Sequence, residues 1–462
     1  MKNEDTIVAL ATPAGIGAIS VIRISGCNAI SIADGLFSAK NNKSINLMPS
    51  HTVSLGLIKE KNRTIDEVLL TVFKSPKSYT GEDVIEISCH ASFYIQKEII
   101  ALFIRHGCRA AEPGEFTLRA FSNGKIDLSQ AEAVADLISS ENAASHKIAI
   151  QQMRGGFSSE IKKLREELVK FASLIELELD FSEEDVLFAD RKEFETLLLK
   201  ISKVVNSLID SFSTGNVIKN GIPVSIVGAP NVGKSTLLNS LFNEDKAIVS
   251  NIPGTTRDTI EDELTIQGVK FRFIDTAGIR KTNDQVESIG IKKTMQKINE
   301  SNVILLIMDA AKIIQIDQND ILKKIEDSIK ISENTKYLIV LNKIDLISEK
   351  KSFEFLSKHK TVKISAKSGQ GINELKKELL DMVRLSKLDN NDTIITNARH
   401  YNALLDVSKC IIMIQKGLGN NISGDLLAID IREALDNLGR ITGEITSDEL
   451  LGNIFSSFCI GK

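Results

Sequence analysis

The chain has 462 residues, 42% of them hydrophobic and 26% charged, and its formal net charge is −4. This length predicts about two to four domains, and no apolar run approaches the roughly 18 residues that a membrane span needs. The small negative charge excludes a global basic field, so a nucleic-acid partner would be held by a local patch or by a second protein.

Cysteine usage is typical of a reducing compartment. The five cysteines are odd in number and far apart, with no C-x-x-C pair. This pattern argues against disulfides and zinc. Since no secretory signal is expected ahead of the strand-like segment Thr6–Leu10, the sequence predicts a cytoplasmic protein.

Residues 1–122 are predicted to form an α+β domain. One helix is expected near Ile95–Phe103. The predicted strands are Ala18–Ile24, Thr52–Ile58, Val68–Phe73 and Val84–Ser88.

Two helical blocks are predicted, over residues 123–216 and 387–462. Ser129-Gln-Ala-Glu132 is a capping-box sequence at the start of the first block. Apolar residues then recur at helical spacing and are interpreted as helix core: Ile161, Leu164, Leu168, Phe171, Ile175, and later Leu404, Val407, Ile411 and Ile414. The second block is too short to bury its apolar face alone. It is expected to pack back on residues 129–214 and complete a discontinuous helical domain.

A phosphate-binding motif opens the block between them, residues 217–386. Gly228-Ala-Pro-Asn-Val-Gly-Lys-Ser235 fits G-x-x-x-x-G-K-[ST] and follows the apolar run Val224–Val227. In such a loop the backbone N–H groups surround the phosphates, Lys234 reaches the terminal ones, and the Ser235 hydroxyl ligates Mg²⁺. The chain is therefore predicted to bind a nucleoside triphosphate.

Three further motifs follow in the order that guanine-nucleotide hydrolases use. They are Asp275-Thr-Ala-Gly278, Asn342-Lys-Ile-Asp345 and Ser365-Ala-Lys367. The Asp345 carboxylate can accept hydrogen bonds from N1–H and the exocyclic amine of guanine, an edge that adenine lacks. Asp275 would hold Mg²⁺ through water, and Gly278 would present its N–H to the γ-phosphate.

The loop around Thr256 supplies the remaining candidates. Thr256 is the candidate for a second Mg²⁺ hydroxyl, with an ordinary turn threonine as the alternative. The predicted GTP-binding residues are Asn231, Val232, Gly233, Lys234, Ser235, Thr236, Ser250, Asn251, Ile252, Pro253, Gly254, Thr255, Thr256, Asp275, Thr276, Ala277, Gly278, Asn342, Lys343, Asp345, Ser365, Ala366 and Lys367.

One position departs from the Ras-type scheme. Ile279 stands where those GTPases place the glutamine that orients the attacking water, and it cannot hydrogen-bond to water. Hydrolysis must be arranged by a residue farther along the segment or by a partner. Asp284 and Glu287 are the nearby acidic candidates.

The C-terminal residues, Phe455-Ser-Ser-Phe-Cys-Ile-Gly-Lys462, are apolar where chains usually fray, so a docked tail is predicted. Together with the motifs above, this tail resembles that of the MnmE (TrmE) family of tRNA-modifying GTPases. The other segments that carry the resemblance are Asp5–Ala9, Tyr79–Asp83, Pro113–Phe116, Asp127–Glu132 and Thr446–Gly452.

The resemblance runs essentially end to end and implies a multidomain α/β fold. An N-terminal α+β folate-binding-like domain would also dimerise the chain, and a Ras-like P-loop GTPase domain would be inserted into the discontinuous helical domain. The segment Ala14–Ala18 is less glycine-rich and less basic than in the family, and Ala229 replaces a commonly larger residue. These departures affect only details of folate contact and nucleotide affinity.

The resemblance also implies the activity. With a FAD-containing flavoprotein partner, MnmG (GidA), in a heterotetramer or larger assembly, family members modify carbon 5 of the wobble uridine of certain tRNAs. The added aminomethyl or carboxymethylaminomethyl group draws on a tetrahydrofolate one-carbon unit. Carried over by motif, the folate site, with 5-formyltetrahydrofolate as ligand, comprises Arg23, Glu82, Lys125 and Lys462, with surface salt bridges as the alternative. Cys459 matches the tail cysteine, as either a buried structural thiol or a reacting one.

For hydrolysis, the resemblance implies that G domains pair across the dimer around a potassium ion. The implied K⁺ ligands are Asn231, Ser250, Ile252 through its carbonyl, and Thr255, while Glu287 positions the hydrolytic water. A competing class is a regulatory GTPase of ribosome assembly. A scaffold that has lost hydrolysis is disfavoured because Lys234, Ser235, Thr256 and Glu287 are present.

Overall fold

The computed structural model describes residues 5–40, 42–180, 191–243, 262–274, 301–313, 336–347, 359–383, 393–420 and 422–461. The chain divides into two compact units. The first comprises residues 1–139, 149–206 and 402–462, and the second comprises 140–148 and 207–401. Among the helices in these described ranges, none has the length and apolar composition needed to span a membrane.

The first unit contains a mostly antiparallel sheet. Its strands are β1 (Thr6–Leu10), β2 (Ile19–Ser25), β3 (Phe37–Ala39), β4 (Thr52–Glu60), β5 (Arg63–Phe73), β6 (Val84–His90) and β7 (Cys108–Ala110). Their order is β3-β4-β5-β6-β2-β1-β7, and only the β1–β7 pair is parallel among the described strands. Its helices are α1 (Ala29–Leu36), α2 (Phe93–Arg105) and α3 (Glu115–Ser122). The predicted α+β pattern is confirmed.

Alternation along the strands explains which face of this sheet is covered. In β2, Ile22 and Ile24 are fully buried, whereas Arg23 between them is half-buried on the opposite face. The buried face packs against α1 and α2, whose Phe103 is also fully buried. The other face of β2 is therefore free to carry polar side chains.

The two helical blocks are formed by α4 (Leu128–Ile138), α5 (Ala143–Met153), α6 (Gly156–Asp180) and α7 (Arg191–Asn220), and by α11 (Ala398–Gly419), α12 (Gly424–Thr442) and α13 (Asp448–Ser456). In the first unit, α12 packs along α6, and ion pairs join Arg432 to Glu176 (2.8 Å) and Arg165 to Glu444 (2.7 Å). The second helical block thus packs back on the first, as predicted.

The predicted core stripes are confirmed except at Phe171, which is half-buried, and the predicted cap is wrong. Leu168 and Leu404 are fully buried. The capping box of α4 is formed by Asp127 and Gln130, with Asp127 accepting from Gln130 N (3.0 Å) and Gln130 Oε1 accepting from Asp127 N (2.9 Å). The cap lies two residues before Ser129, and the helix begins at Leu128, because an aspartate caps as well as a serine and Ser129 is buried.

The second unit is built on a mainly parallel sheet. Its strands are β8 (Ile222–Val227), β9 (Asp262–Ile266), β10 (Val269–Phe273), β11 (Val303–Asp309), β12 (Lys336–Asn342) and β13 (Thr361–Lys363), in the order β13-β12-β11-β8-β10-β9. The helices α8 (Lys234–Asn243), α9 (Ala310–Ile313) and α10 (Ile372–Val383) follow β8, β11 and β13. Only β9 runs antiparallel to its neighbour in this described sheet.

Both faces of the parallel strands are buried, as βαβ crossovers require. Leu305 on β11 and Val340 on β12 pack with Leu237 and Leu238 of α8 in one core. Leu306 and Ile339, which alternate with them, pack in a second core on the other face. Because parallel strands share a direction, the carboxyl ends of β8, β11, β12 and β13 meet at one edge, here called the nucleotide edge.

Candidate nucleotide site

The phosphate loop at the nucleotide edge is shaped by two glycines. A Cβ at Gly228 would lie 2.5 Å from the Ile307 carbonyl oxygen. Gly233 has φ +98°, and a Cβ there would collide with the Asn342 side-chain amide. The loop therefore passes close to β11 and β12 and leads into the N-terminus of α8, where backbone N–H groups bind anions. This cradle fits nucleotide phosphates.

Lys234 opens α8 and lies against the loop itself. Its Nζ donates to the carbonyl oxygens of Gly228 (2.6 Å) and Ala229 (3.2 Å). Burial lowers the pKa of Lys234. A phosphate oxygen would offer the ammonium a charged acceptor in place of these neutral ones. Ser235 and Thr236 follow in the first turn of α8.

Asn342 connects the loops of the nucleotide edge. Its Nδ2 donates to the Val232 carbonyl (2.8 Å), and its Oδ1 accepts from Lys343 N (2.8 Å) and Ala366 N (2.9 Å). The residue is 2% exposed. All the polar atoms of its side-chain amide face protein, so Asn342 sets the positions of the phosphate loop and of the Ser365–Lys367 loop together.

Lys343 makes a second connection to the phosphate loop. Its Nζ donates to the Asn231 carbonyl (2.8 Å) and to Asp309 Oδ2 (2.7 Å). Burial acts to raise the pKa of Asp309, but the hydrogen bond and charge of Lys343 outweigh it, so this pKa lies below its usual value. The sequence motifs do not include Asp309. The signal that could have found it is an acidic residue ending an apolar parallel strand beside β12.

Asp345 and Lys367 are exposed at the nucleotide edge. Asp345 lies in a 3₁₀ turn, Ile344–Leu346, just after β12. Ser365 is fully buried, and its N–H donates to the Gln370 carbonyl (2.9 Å). This hydrogen bond holds the Ser365–Lys367 loop in place. An exposed carboxylate on an anchored turn can meet a purine edge.

The Asp345→Asn variant is expected to bind GTP more weakly by about 1–3 kcal/mol, the scale of a hydrogen bond to a charged group. The new amide can donate where the carboxylate only accepted, so xanthosine triphosphate, which has a carbonyl at that edge, should bind better than GTP. Fluorescence titration with both nucleotides measures the change in preference from GTP to xanthosine triphosphate. Asp381→Asn makes the same chemical change at an exposed position of α10 and serves as the control. Unchanged GTP affinity in Asp345→Asn would remove the assignment.

Several predicted site residues lie outside the described residues. These are Ser250, Asn251, Ile252, Pro253, Gly254, Thr255, Thr256, Asp275, Thr276, Ala277, Gly278, Ile279, Asp284, Glu287 and Lys462. Ile274 is described directly after β10, and its N–H donates to the Val224 carbonyl of β8 (3.0 Å).

In the first unit, Arg23 lies on the open face of β2. Its Nε and Nη2 donate to Glu86 (2.9 and 2.8 Å), and Nη1 donates to the Gly461 carbonyl (3.4 Å). The guanidinium lies over the rings of Tyr79 and Phe116, 5.4 and 5.7 Å from their centroids. The structure thus brings the predicted residue beside the C-terminal tail and two aromatic rings.

Glu82 and Lys125 lie on neighbouring segments. Glu82 accepts from Ser25 Oγ (2.7 Å) and from Arg119 Nη1 (3.1 Å). The Lys125 stem passes Gly81, since a Cβ there would lie 3.3 Å from Lys125 Cγ, and its Nζ donates to the Pro76 carbonyl (2.9 Å).

Arg119 was missed by sequence reasoning. It is 4% exposed and binds both Glu82 and Glu115. A sequence signal was available: Arg119 lies one helical turn beyond Glu115 of the Pro113–Phe116 segment. Arg119 fixes the position of the Glu82 carboxylate.

The C-terminal tail is docked, as predicted. Phe455 is 3% exposed in an apolar cluster with Leu128. The Cys459 carbonyl accepts from Gly114 N (3.3 Å), and Ile460 forms a β-bridge with Pro113. The Cys459 thiol itself is exposed, so its interpretation as a buried structural thiol is wrong.

Known proteins match this chain over its whole length. The model of the MnmE helical domain matches residues 128–459, and that of the GTP-binding protein TrmE N-terminus matches residues 6–125. Proteins named tRNA modification GTPase MnmE are 58% identical in Christiangramia forsetii, 59% in Flavobacterium johnsoniae and 58% in Flavobacterium psychrophilum. In each case 100% of both chains is covered.

Proposed function

Because the chain belongs to the MnmE family of tRNA modification GTPases, we propose that it couples GTP hydrolysis to modification of carbon 5 of the wobble uridine of certain tRNAs. The product carries an aminomethyl or carboxymethylaminomethyl group built with a one-carbon unit from tetrahydrofolate. The chain acts as a cytoplasmic homodimer with the flavoprotein MnmG, which supplies FAD.

The observation that carries this proposal is the tail docked beside Arg23. The Gly461 carbonyl accepts from Arg23 Nη1, and a Cβ at Gly461 would collide with the Leu10 carbonyl. Lys462, which follows Gly461 in the sequence, is the second cationic residue of the proposed folate site. Cationic residues suit the anionic glutamate of a folate.

Polar and aromatic groups beside Arg23 suit the rest of a folate. The side chains of Arg23 and Glu82 are 21% and 20% exposed. Glu82 can accept from the pterin's donors, and its bonds to Arg119 and Ser25 hold it in place for this. The rings of Tyr79 and Phe116 offer flat apolar surface next to the guanidinium.

The nucleotide edge supports the hydrolytic role. Lys234 binds the terminal phosphates, Ser235 and Thr256 hold Mg²⁺, Asp275 holds it through water, and Glu287 orients the attacking water. When bound, Mg²⁺ and K⁺ supply positive charge against the charge that develops on the phosphates.

The potassium ligands are Asn231, Ser250, Ile252 and Thr255. Asn231 fits this role because it is exposed on the phosphate loop, where its amide oxygen can reach a cation, and oxygen ligands suit hard cations.

A ribosome-assembly GTPase is the competing function. It would use the same nucleotide edge, but it leaves the docked tail and the groups around Arg23 without a role. A purified chain that binds no folate, together with normal tRNA nucleosides and a ribosome-profile defect in a deletion strain, would favour it.

The Arg23→Ala variant is expected to lose binding of 5-formyltetrahydrofolate while GTP hydrolysis continues, because Arg23 and the nucleotide edge belong to different units. Titration calorimetry measures the binding, and phosphate release measures hydrolysis. Arg63→Ala is the matched control, since Arg63 pairs with Glu98 at 3.0 Å on a different strand and should leave folate binding unchanged. Folate affinity that survives in Arg23→Ala would contradict the site.

A further inference from the structure

We propose that Asp309 is a positioning residue that acts through Lys343 to hold the phosphate loop in the conformation that presents Asn231 to potassium. The potassium part of this inference rests on the proposed function. Asp309 belongs to none of the guanine-nucleotide motifs and ends β11, the strand between β8 and β12. It is therefore close to both the phosphate loop and the guanine-reading turn.

A continuous set of hydrogen bonds connects Asp309 to the loop. Asp309 is 6% exposed, and its Oδ1 accepts from Ala311 N at 3.1 Å, which fixes the carboxylate against the start of α9. Its Oδ2 accepts from Lys343 Nζ at 2.7 Å, and the same Nζ donates to the Asn231 carbonyl at 2.8 Å. One ammonium thus joins a fixed carboxylate to the phosphate loop.

Asn231 needs such an anchor because of its backbone conformation. Its φ is +62°, in the left-handed region, which asparagine adopts more readily than other non-glycine residues but which is still less favourable than negative φ, so contacts on the loop help to keep it. Lys343 holds the Asn231 carbonyl, and Asn342 holds the next carbonyl, that of Val232. The two peptide groups that flank Val232 are therefore fixed, and because the first of them begins at the Cα of Asn231, that Cα is held in position on the phosphate loop.

Lys343 could not hold this position by itself. Lysine carries a point charge on a flexible stem, and this side chain is 29% exposed, so water competes for its ammonium. The buried carboxylate of Asp309 retains the ammonium over the loop. Lys343 also follows Asn342 and precedes Asp345 by two positions, so the turn that reads guanine and the loop that presents Asn231 share one ammonium.

The first test is a double-mutant cycle on nucleotide affinity. Asp309→Ala, Lys343→Ala and the double variant are titrated with N-methylanthraniloyl-GDP in choline chloride, without potassium. Asp309→Ala is expected to weaken binding about 10-fold, the loss of one charged hydrogen bond. The double variant should bind no more weakly than Lys343→Ala. Additive losses, or unchanged affinity in Asp309→Ala, would overturn the role of Asp309.

The second test separates positioning from stability. At saturating GTP, Asp309→Ala should need about 10-fold more potassium for half-maximal hydrolysis, because the ligand is misplaced rather than absent. Asp309→Asn keeps an acceptor without the charge, so it should fold and show a smaller shift. Ser301→Ala removes a buried 2.6 Å hydrogen bond to Ser225 in the same unit and should lower the melting temperature without moving the potassium requirement.

The two proposals can fail separately. An equal increase in the potassium requirement of Ser301→Ala would show that Asp309 is merely structural. An unchanged potassium requirement in both Asp309→Ala and Asp309→Asn would show the same. Equal rates of the unchanged chain in potassium and sodium would overturn the proposed potassium role and the potassium part of this inference. The affinity cycle, measured without potassium, would then still decide whether Asp309 positions the loop.

Discussion

GTP hydrolysis by the Glu287→Ala variant is expected to be about 100-fold slower or more, with GTP affinity nearly intact, as for loss of a group that acts only on the transition state. Ile279 offers the water no hydrogen bond, so its orientation depends on a carboxylate elsewhere in the segment. Single-turnover hydrolysis measures the rate, and fluorescent-nucleotide titration measures affinity. A defect confined to binding would contradict the role of Glu287.

Two controls accompany this variant. Asp284→Ala removes the other acidic candidate in the segment and should retain the rate. The unchanged chain should hydrolyse GTP much faster in potassium than in sodium, because a site of several oxygens sized for potassium fits the smaller ion less well. Asn231→Ala and Thr255→Ala should lose most of that difference. A fast Glu287→Ala together with a slow Asp284→Ala would exchange the two assignments.

Removal of residues 459–462 is expected to eliminate the modified wobble uridine from cellular tRNA while GTP hydrolysis continues. The tail contacts Gly114, Pro113, Arg23 and Leu10, all in the first unit, whereas the phosphate loop belongs to the second. Nucleoside analysis of tRNA from a strain with only the shortened chain measures the modification. Normal modification in that strain would refute the functional role of the tail.

Two point variants divide the tail's contribution. Gly461→Ala leaves the thiol but places a Cβ against the Leu10 carbonyl at φ +95°, so it should undock the tail and reduce modification. Cys459→Ser keeps the docked backbone and removes only the exposed thiol. Loss of modification in Cys459→Ser alone would show that the sulfur acts chemically, and loss in Gly461→Ala alone would show that docking is what matters.

The local elements were predictable because periodicity and turn chemistry act over a few residues. Alternation predicted Thr52–Ile58 and Val84–Ser88, and the structure has strands there at Thr52–Glu60 and Val84–His90. The phosphate loop was predicted from residue type, since Gly228 and Gly233 sit where any side chain would collide. The cap at Asp127 was missed because Asp127 and Ser129, two positions apart, are both suitable cap residues, and only the burial of Ser129 distinguishes them.

The connections between elements required the tertiary structure. Asp309 meets Lys343, and Arg119 meets Glu82, across separations in sequence that no local pattern encodes. The exposure of Cys459 depends on which carbonyls and N–H groups the tail pairs with on Pro113 and Gly114. The sequence by itself determined the chemistry of the nucleotide site, because its groups are fixed by residue type and spacing. Only the packing of parallel strands decided which side chains hold those groups in position.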